Sequence, residues 1–293
     1  MITLNGQRVT PTMFPDGTSQ VWKLDIQNKN QDVKWWFEHE FELIHLHQLM
    51  TLLDNELDSS SSFFLTIPYL PYARQDKPVD NIQTFAMNTL SDILNTMPLD
   101  GIVAYDIHNY SKANMQIDGL HNTEPDLSFL KEYDTVIFPD AGACKRYMLP
   151  LSKAVNVKDI EVLQGVKVRD QSSGYITSYG LNGRPKGKCI VIDDICDGGA
   201  TFSILANSIN KFDGELHLYV SHGIFSKGLD TLSSYYDKII TTNSLFGGLT
   251  SSNFWEVLRK LSKDVLLYKQ MVRLFDKGEL EIKFIYEGNS HPY

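Results

Sequence analysis

Short apolar runs alternate along this chain with segments of helical periodicity, and no other feature restricts its fold as strongly. In the second half, Thr135–Phe138, Ile160–Leu163, Cys189–Ile192, Leu216–Val220 and Lys238–Thr241 read as strands, with Gly142–Leu151 and Thr201–Lys211 as helices between them. In the first half, Phe63–Tyr69 and Gly101–Asp106 read as buried strands, and Gln20–Leu24 alternates like a further one. Phe41, Ile44, Leu46, Leu49, Leu52 and Leu53 make a helical stripe over Phe41–Leu57, and Phe85–Met97 reads as a second helix. Strands alternating with helices predict an α/β fold with parallel sheets covered on both faces. Such sheets bind ligands in the loops that follow the carboxyl ends of their strands. Gln171–Gly187, rich in Ser, Gly, Tyr and Asn, is predicted to be a long mobile loop.

Length and composition bound the rest. The 293 residues suit two domains, expected over 1–130 and 131–293. Apolar residues make up 42%, enough for sizeable cores. A formal charge of −9 argues against a general nucleic-acid or anionic-membrane binder, yet leaves room for a nucleotide site built from a few local cations. The three cysteines, Cys144, Cys189 and Cys196, have no metal-type spacing and suit a reducing cytosol. No run approaches the roughly 18 apolar residues of a membrane span. The opening residues lack the basic-then-apolar pattern of a signal peptide. A cytoplasmic protein is expected.

The segment Cys189–Phe202 joins an apolar strand to two carboxylates, a glycine loop and a helix. Gly198 and Gly199 permit backbone conformations closed to other residues. Successive N–H groups can then face one concavity, and the N-terminus of the next helix adds positive potential. Asp193 and Asp194, just before this phosphate cradle, are placed to accept hydrogen bonds from vicinal sugar hydroxyls. A plainer reading makes Asp197 or Thr201 a helix N-cap and nothing more. The whole of Asp193–Thr201 resembles the ribose-phosphate loop of type I phosphoribosyltransferases and of ribose-phosphate pyrophosphokinases, the PRPP synthetases.

Further segments resemble the second of these families in particular. Pro71-Tyr72-Ala73-Arg74-Gln75-Asp76-Lys77 is similar to its ATP-site signature, and Phe14-Pro15-Asp16-Gly17 resembles the loop that holds adenine. Asp106-Ile107-His108 resembles a segment whose histidine helps to bind magnesium, and Pro139–Arg146 resembles its Pro-Asp-x-Gly segment. Lys167-Val168-Arg169 matches the opening of its catalytic flexible loop, and Ser221–Ser226, Thr242-Asn243 and Phe284–Pro292 match later landmarks, the last a C-terminal strand and tail. Taken singly, Arg74 reads as a solvated surface residue, His108 as a satisfied histidine and Phe14 as core. Together they keep the family's order over nearly the whole chain.

The resemblance implies two tandem type I phosphoribosyltransferase-like domains, each a mostly parallel sheet flanked by helices. It implies attack of the ribose C1 hydroxyl on the β-phosphorus of ATP, with AMP leaving. Phe14, Asp16, Arg74, Gln75, Asp76 and His108 would bind ATP. Asp193, Asp194, Asp197, Gly198, Gly199, Ala200 and Thr201 would bind the ribose phosphate. Lys167 and Arg169 would close over the transferring group, and His108 and Asp140 would meet Mg2+. A homo-oligomer, dimer or hexamer, with the ATP site at a subunit interface is implied too. Three departures stand out. Gly198 replaces the usual hydroxyl residue, which suits either ribose 5-phosphate with a compensating donor or a substrate extended at its 5-end, such as ADP-ribose from NAD-related metabolism. Thr18 stands where Glu is common. The stretch after Lys77 is shortened, which puts the family's usual regulation in question. A phosphoribosyltransferase and a non-catalytic regulatory homologue remain as alternatives.

Overall fold

The computed structural model describes residues 1–22, 24, 26, 30–57, 60–75, 84–169, 176–209, 212–247, 250–262 and 265–286. The chain divides into two compact units. One comprises Met1–Thr123, Asn243–Thr250 and Phe284–Tyr293, and the other Glu124–Thr242 and Ser251–Lys283. Among the described residues no helix is long and apolar enough to cross a membrane.

The first unit runs β1 (Ile2–Leu4), β2 (Gln7–Arg8), β3 (Thr12–Met13), β4 (Ser19–Gln20), β5 (Asn30–Trp35), α1 (Glu42–Glu56), β6 (Ser62–Ile67), α2 (Ala86–Asn95), β7 (Gly101–Tyr105), α3 (Tyr110–Ala113) and β8 (Leu120–Thr123). β5, β6, β7 and β8 pair in parallel, β1 joins β5 antiparallel, and β2 lies outside it. Val33, Trp35, Leu65, Ile67 and Ala104 of these strands share one core with Leu46, Leu49, Met50 and Leu53 of α1 and Leu90 and Leu94 of α2. The stripe on α1 is rotated from the sequence expectation. Leu43 turns inward, while Phe41 and Ile44 stay 76% and 60% exposed.

The second unit runs β9 (Thr135–Phe138), α4 (Ala141–Ala154), β10 (Glu161–Arg169), β11 (Ile176–Leu181), β12 (Cys189–Cys196), α5 (Ala200–Ser208), β13 (Leu216–Gly223), α6 (Asp230–Ser233), β14 (Lys238–Thr242), α7 (Phe254–Leu261), α8 (Leu266–Asp276) and β15 (Leu280–Lys283). Its sheet has the order β11-β10-β9-β12-β13-β14-β15, parallel throughout except for the antiparallel β10–β11 pair. Val136 and Phe138 of β9, Ile190 and Ile192 of β12, Tyr219, Ile240 and the α4 residues Tyr147 and Leu151 form its core. Buried thiols, Cys189 and Cys196, stand at the two ends of β12.

Three expectations need correction. The strand predicted over Gln20–Leu24 stops at Gln20, because the Val21 N–H is taken by Gln48 Oε1 on α1 rather than by a ladder partner. The loop predicted over Gln171–Gly187 contains β11, paired with β10 from Gly165↔Leu181 to Arg169↔Ile176, with a bulge between Val168 and Arg169. Among the described residues the last strand is Leu280–Lys283, and 284–286 are not strand; the rest of the predicted segment, through Pro292, lies outside the described residues. Beyond it, Ile285 N–H donates to the Asn243 side chain and Tyr286 adopts a positive φ of 55°, which ends the extended run.

Leu53 is wholly buried and closes the inner face of α1. Leu53→Ala is expected to destabilise the first unit by about 2–5 kcal/mol, through lost transfer energy and the cavity left behind. Urea unfolding followed by far-UV circular dichroism checks it.

Candidate active site at the carboxyl ends of the strands

β9, β12 and β13 are adjacent and parallel, so the loops after them emerge at one edge of the second sheet. These loops carry Asp140, Asp193–Thr201 and Ser221–Ser226. β12 reaches further than the sequence implies. Its ladder with β13 continues to Cys196↔Gly223, which puts Asp193 and Asp194 inside the strand. Cys189 to Ile192 are wholly buried, Asp194 is 1% exposed, and Asp193 is half-buried.

The acidic pair has a cationic partner. Arg146, on α4, ion-pairs with Asp194 Oδ1 and lies 3.4 Å from Asp193 Oδ1, which also accepts the Asp194 N–H at 2.9 Å. The helix that delivers Arg146 is capped by Asp140, whose Oδ1 accepts the Ala143 N–H at 3.0 Å. Tyr179 of β11 donates to the Pro139 carbonyl on the same loop. Burial pushes the Asp193 carboxyl well above the usual carboxylate range, and the charge on Asp194 adds to the push while Arg146 opposes it. Two carboxylates sharing one guanidinium beside solvent can accept hydrogen bonds from a diol. Arg146 was visible in the sequence only as the end of the Pro139–Arg146 segment. Its place two turns into the helix that follows an acidic cap was the signal.

The loop then closes into a cradle. Gly199 has a left-handed backbone (φ 76°) at the N-cap of α5, and a Cβ there would meet Leu232 at 3.1 Å. Glycine is therefore required by conformation and by space. The N-cap is this glycine, rather than Asp197 or Thr201. The first-turn N–H groups of α5, from Ala200 and Thr201 onward, have no partner within the helix and face the loop with the positive end of its dipole. Asp197 is exposed, and its Oδ1 accepts from Ser226 Oγ. The Ile224 and Phe225 N–H groups both donate to the Cys196 carbonyl, at 2.9 and 3.1 Å. The loops after β12 and β13 are thus tied together. Lys167 and Arg169 belong to the part of β10 that runs past its last pairing with β9 (Gln164↔Phe138) and continues against β11.

The first unit has its own constellation. Arg74 and Gln75 follow β6, and His108 follows β7, the adjacent parallel strand. Arg74 and Gln75 are exposed on a turn closed by Gln75 N–H to the Tyr72 carbonyl at 2.8 Å. Tyr72 anchors that turn with a hydroxyl bond to Glu40, and burial together with the Glu40 charge pushes its phenol up to about 12. Asp76 lies outside the described residues. His108 is half-buried between Ile107, whose N–H donates to Asn122, and Asn109, which caps α3. Phe14 and Asp16 sit at the tip of the β3–β4 hairpin, with Phe14 38% exposed. Thr18 serves the hairpin itself. Its N–H and hydroxyl both donate to Asp16 Oδ1, at 3.0 and 2.7 Å, and hold that carboxyl below its usual range. Among the described residues no three His, Cys, Asp or Glu side chains cluster as an all-protein metal site.

The acidic pair generates a pH prediction. A folded-state pKa raised above the unfolded value means stability that is present below the unfolded carboxylate pKa and lost as pH rises through the folded one. Asp193→Asn removes that loss. Its melting temperature is expected to match the parent near pH 4 and to exceed it at pH 8 by about 2–4 °C, the equivalent of about 1 kcal/mol. A pH series of thermal melts checks it.

No family model matches the chain. Curated relatives do. It is 27% identical over 197 residues to the ribose-phosphate pyrophosphokinase of Mycoplasmopsis pulmonis, covering 64% of this chain and 60% of that one. It is 24% identical over 278 residues to the ribose-phosphate pyrophosphokinase of Corynebacterium efficiens, covering 90% and 81%. Ribose-phosphate pyrophosphokinase 2 of Schizosaccharomyces pombe is 28% identical over 218 residues, covering 69% and 66%. Among solved structures, phosphoribosylpyrophosphate synthetase from Mycobacterium smegmatis superposes with a TM-score of 0.62 at 22% identity, over 81% of this chain and 80% of that one. The chain is accordingly similar in sequence to the ribose-phosphate pyrophosphokinases, and its two α/β units share the fold of that synthetase.

Proposed function

We propose that this chain transfers the β,γ-pyrophosphoryl group of ATP to the C1 hydroxyl of ribose 5-phosphate and releases AMP. The observation that carries the reading is the edge formed by β9, β12 and β13. There a carboxylate pair suited to a diol adjoins a left-handed glycine and a helix N-terminus suited to a phosphate. The names of its relatives support the substrate and the chemistry.

In this reading Asp193 and Asp194 accept hydrogen bonds from the ribose 2- and 3-hydroxyls, and Arg146 keeps the pair from repelling itself apart. The amides of Gly199, Ala200 and Thr201 hold the 5-phosphate, with Asp197 and Gly198 shaping the turn. Phe14 and Asp16 receive the adenine, and Arg74, Gln75, Asp76 and His108 hold ATP. The C1 oxygen attacks the β-phosphorus, the bond from that phosphorus to the α-phosphate oxygen breaks, and the hydroxyl proton is lost. Little covalent work falls to the protein. Lys167 and Arg169 neutralise charge that develops on the transferring group. A magnesium ion would be carried mainly by the phosphates and would keep waters, so few protein ligands suffice. A half-buried imidazole and a carboxylate oriented by its cap, His108 and Asp140, are donors of that kind. When bound, the ion would screen phosphate charge. A homo-oligomer in the cytoplasm, with the Phe14 hairpin of one subunit serving its neighbour's ATP, completes the proposal.

The comparisons give no support to the ADP-ribose reading. It rested on space opened by Gly198, and the relatives are named for ribose phosphate, while the Lys227 side chain lies 3.3 Å from where a Cβ at Gly198 would be.

The test is AMP release from ATP with magnesium, dependent on ribose 5-phosphate. ADP-ribose is expected to serve at least ~10-fold less well, corresponding to about 1.4 kcal/mol. Lys167→Ala is expected to lower turnover at least ~100-fold, about 2.7 kcal/mol of transition-state stabilisation. Near-normal turnover in that variant would remove Lys167 from the mechanism.

A further inference from the structure

The loop after β12 is poor in positive charge for a phosphate site. Asp193, Asp194 and Asp197 lie within five residues, and the guanidinium beside them, Arg146, is already committed to the first two. A phosphate dianion entering the cradle meets carboxylates on its approach, with the amides and dipole of α5 as its attraction. Among the described residues a further cation, Lys227, lies against the loop. A Cβ on Gly198 would meet Lys227 Cδ at 3.3 Å, Cε at 3.4 Å and Cγ at 3.5 Å. The lysine stem therefore runs flat across the bare backbone of Gly198, and its ammonium lies one bond beyond Cε.

The backbone that carries Lys227 is held in place by its neighbours. The Ile224 and Phe225 amides are bonded to the Cys196 carbonyl, and Ser226 Oγ is bonded to Asp197. Phe225 is 1% exposed and has a positive φ of 50°, a conformation a bulky residue adopts only when packing imposes it. Gly228 N–H closes a turn on the Phe225 carbonyl at 2.8 Å, and Leu229 N–H is fixed by Gln270 Oε1 at 2.9 Å. Lys227 is an exposed residue on an otherwise anchored turn. A lysine presents a compact point charge on a long stem, which suits a phosphate approached from one side.

We propose that Lys227 binds the 5-phosphate of the ribose substrate, and that Gly198 is a glycine because any side chain there would displace the lysine stem. The assignment rests on the function proposed above and names a specificity-determining residue for it. It makes positions 198 and 227 a matched pair, one supplying the space and the other the charge.

The experiment uses the full chain with Lys227→Met, Lys227→Arg, Gly198→Thr and the double variant Gly198→Thr/Lys227→Met. KM for ribose 5-phosphate, KM for ATP and turnover are measured, together with calorimetric binding of ribose 5-phosphate and of ribose without ATP. Lys227→Met is expected to raise KM for ribose 5-phosphate at least ~10-fold, about 1.4 kcal/mol, with KM for ATP within about twofold. Its binding of ribose should be unchanged, because ribose has no phosphate. Lys227→Arg should recover most of the loss. Gly198→Thr should weaken ribose 5-phosphate binding in the parent and cost little more once Lys227 is Met, the signature of coupled sites. A KM for ribose 5-phosphate within about twofold of the parent in Lys227→Met, or additive losses in the double variant, would overturn the assignment while leaving the activity standing. A parent that binds ribose 5-phosphate but releases no AMP would instead overturn the activity, and Lys227 would then be judged on the calorimetric contrast between ribose 5-phosphate and ribose. A parent that does neither overturns both.

Discussion

β12 lies between two parallel neighbours with four consecutive side chains wholly out of water, and a strand buried in that way leaves its polar residues a single exit. Interior apolar contacts hold Cys189 to Ile192, so Asp193, Asp194 and the glycines are delivered at the carboxyl edge and nowhere else. β9 and β13, held in register by the same ladder, bring Asp140 and Ser226 to that edge. The candidate site is therefore placed by backbone pairing, and its side chains need only be short. Arg146 is the exception. It reaches the edge from two turns along α4, and the cap that starts α4 comes from the neighbouring loop.

Electrostatics give that edge its character. A buried carboxylate pair with one guanidinium carries a residual negative charge that water cannot fully solvate, and the protein holds the arrangement at a cost in stability. Such a cost is what a recognition site for hydroxyls requires, since neutral hydrogen-bond donors relieve it without bringing new charge. In the proposed reading the phosphate end needs the opposite sign, which helix amides and the lysine on the adjoining turn would supply. The stretch Asp193–Thr201 thus presents contrasting electrostatics at its two ends, in the order the proposed ribose phosphate would need.

Much of this was legible in the sequence. The buried strands of both units and helices α1, α2, α4 and α5 follow from apolar runs and helical spacing, because burial on both faces leaves a pattern in composition. The tight turn before α5 was legible too, since adjacent glycines after the strand permit the left-handed backbone that Gly199 adopts. What was hidden depends on pairing across distance. β11 escaped notice because its ladder with β10 is made by backbone groups of Ser, Gly and Tyr, and the paired arm is not part of the main core, with Val166 half-exposed. The rotation of the α1 stripe was hidden because Phe41 and Ile44 are apolar yet face outward. Arg146 and Lys227 lie 47 and 29 positions from the residues they serve, Asp193 and Gly198 respectively, so no local spacing could associate them. Asp16 and Thr18 show the reverse: a substitution that read as a lost ligand contact is a bond within the hairpin itself.

The two thiols that close the ends of β12 have a use of their own. Both are buried, and burial raises the Cys189 thiol above its ordinary range, so neither is open to a reagent while the strand is in place. Cys144, partly exposed on α4, stands outside the strand and reacts on a different footing. The central strand of the second unit therefore carries its own clock. The rate at which a thiol reagent reaches Cys189 and Cys196 reports how often the sheet opens, separately for the end away from the cradle and the end that leads into it, with no label added to the chain.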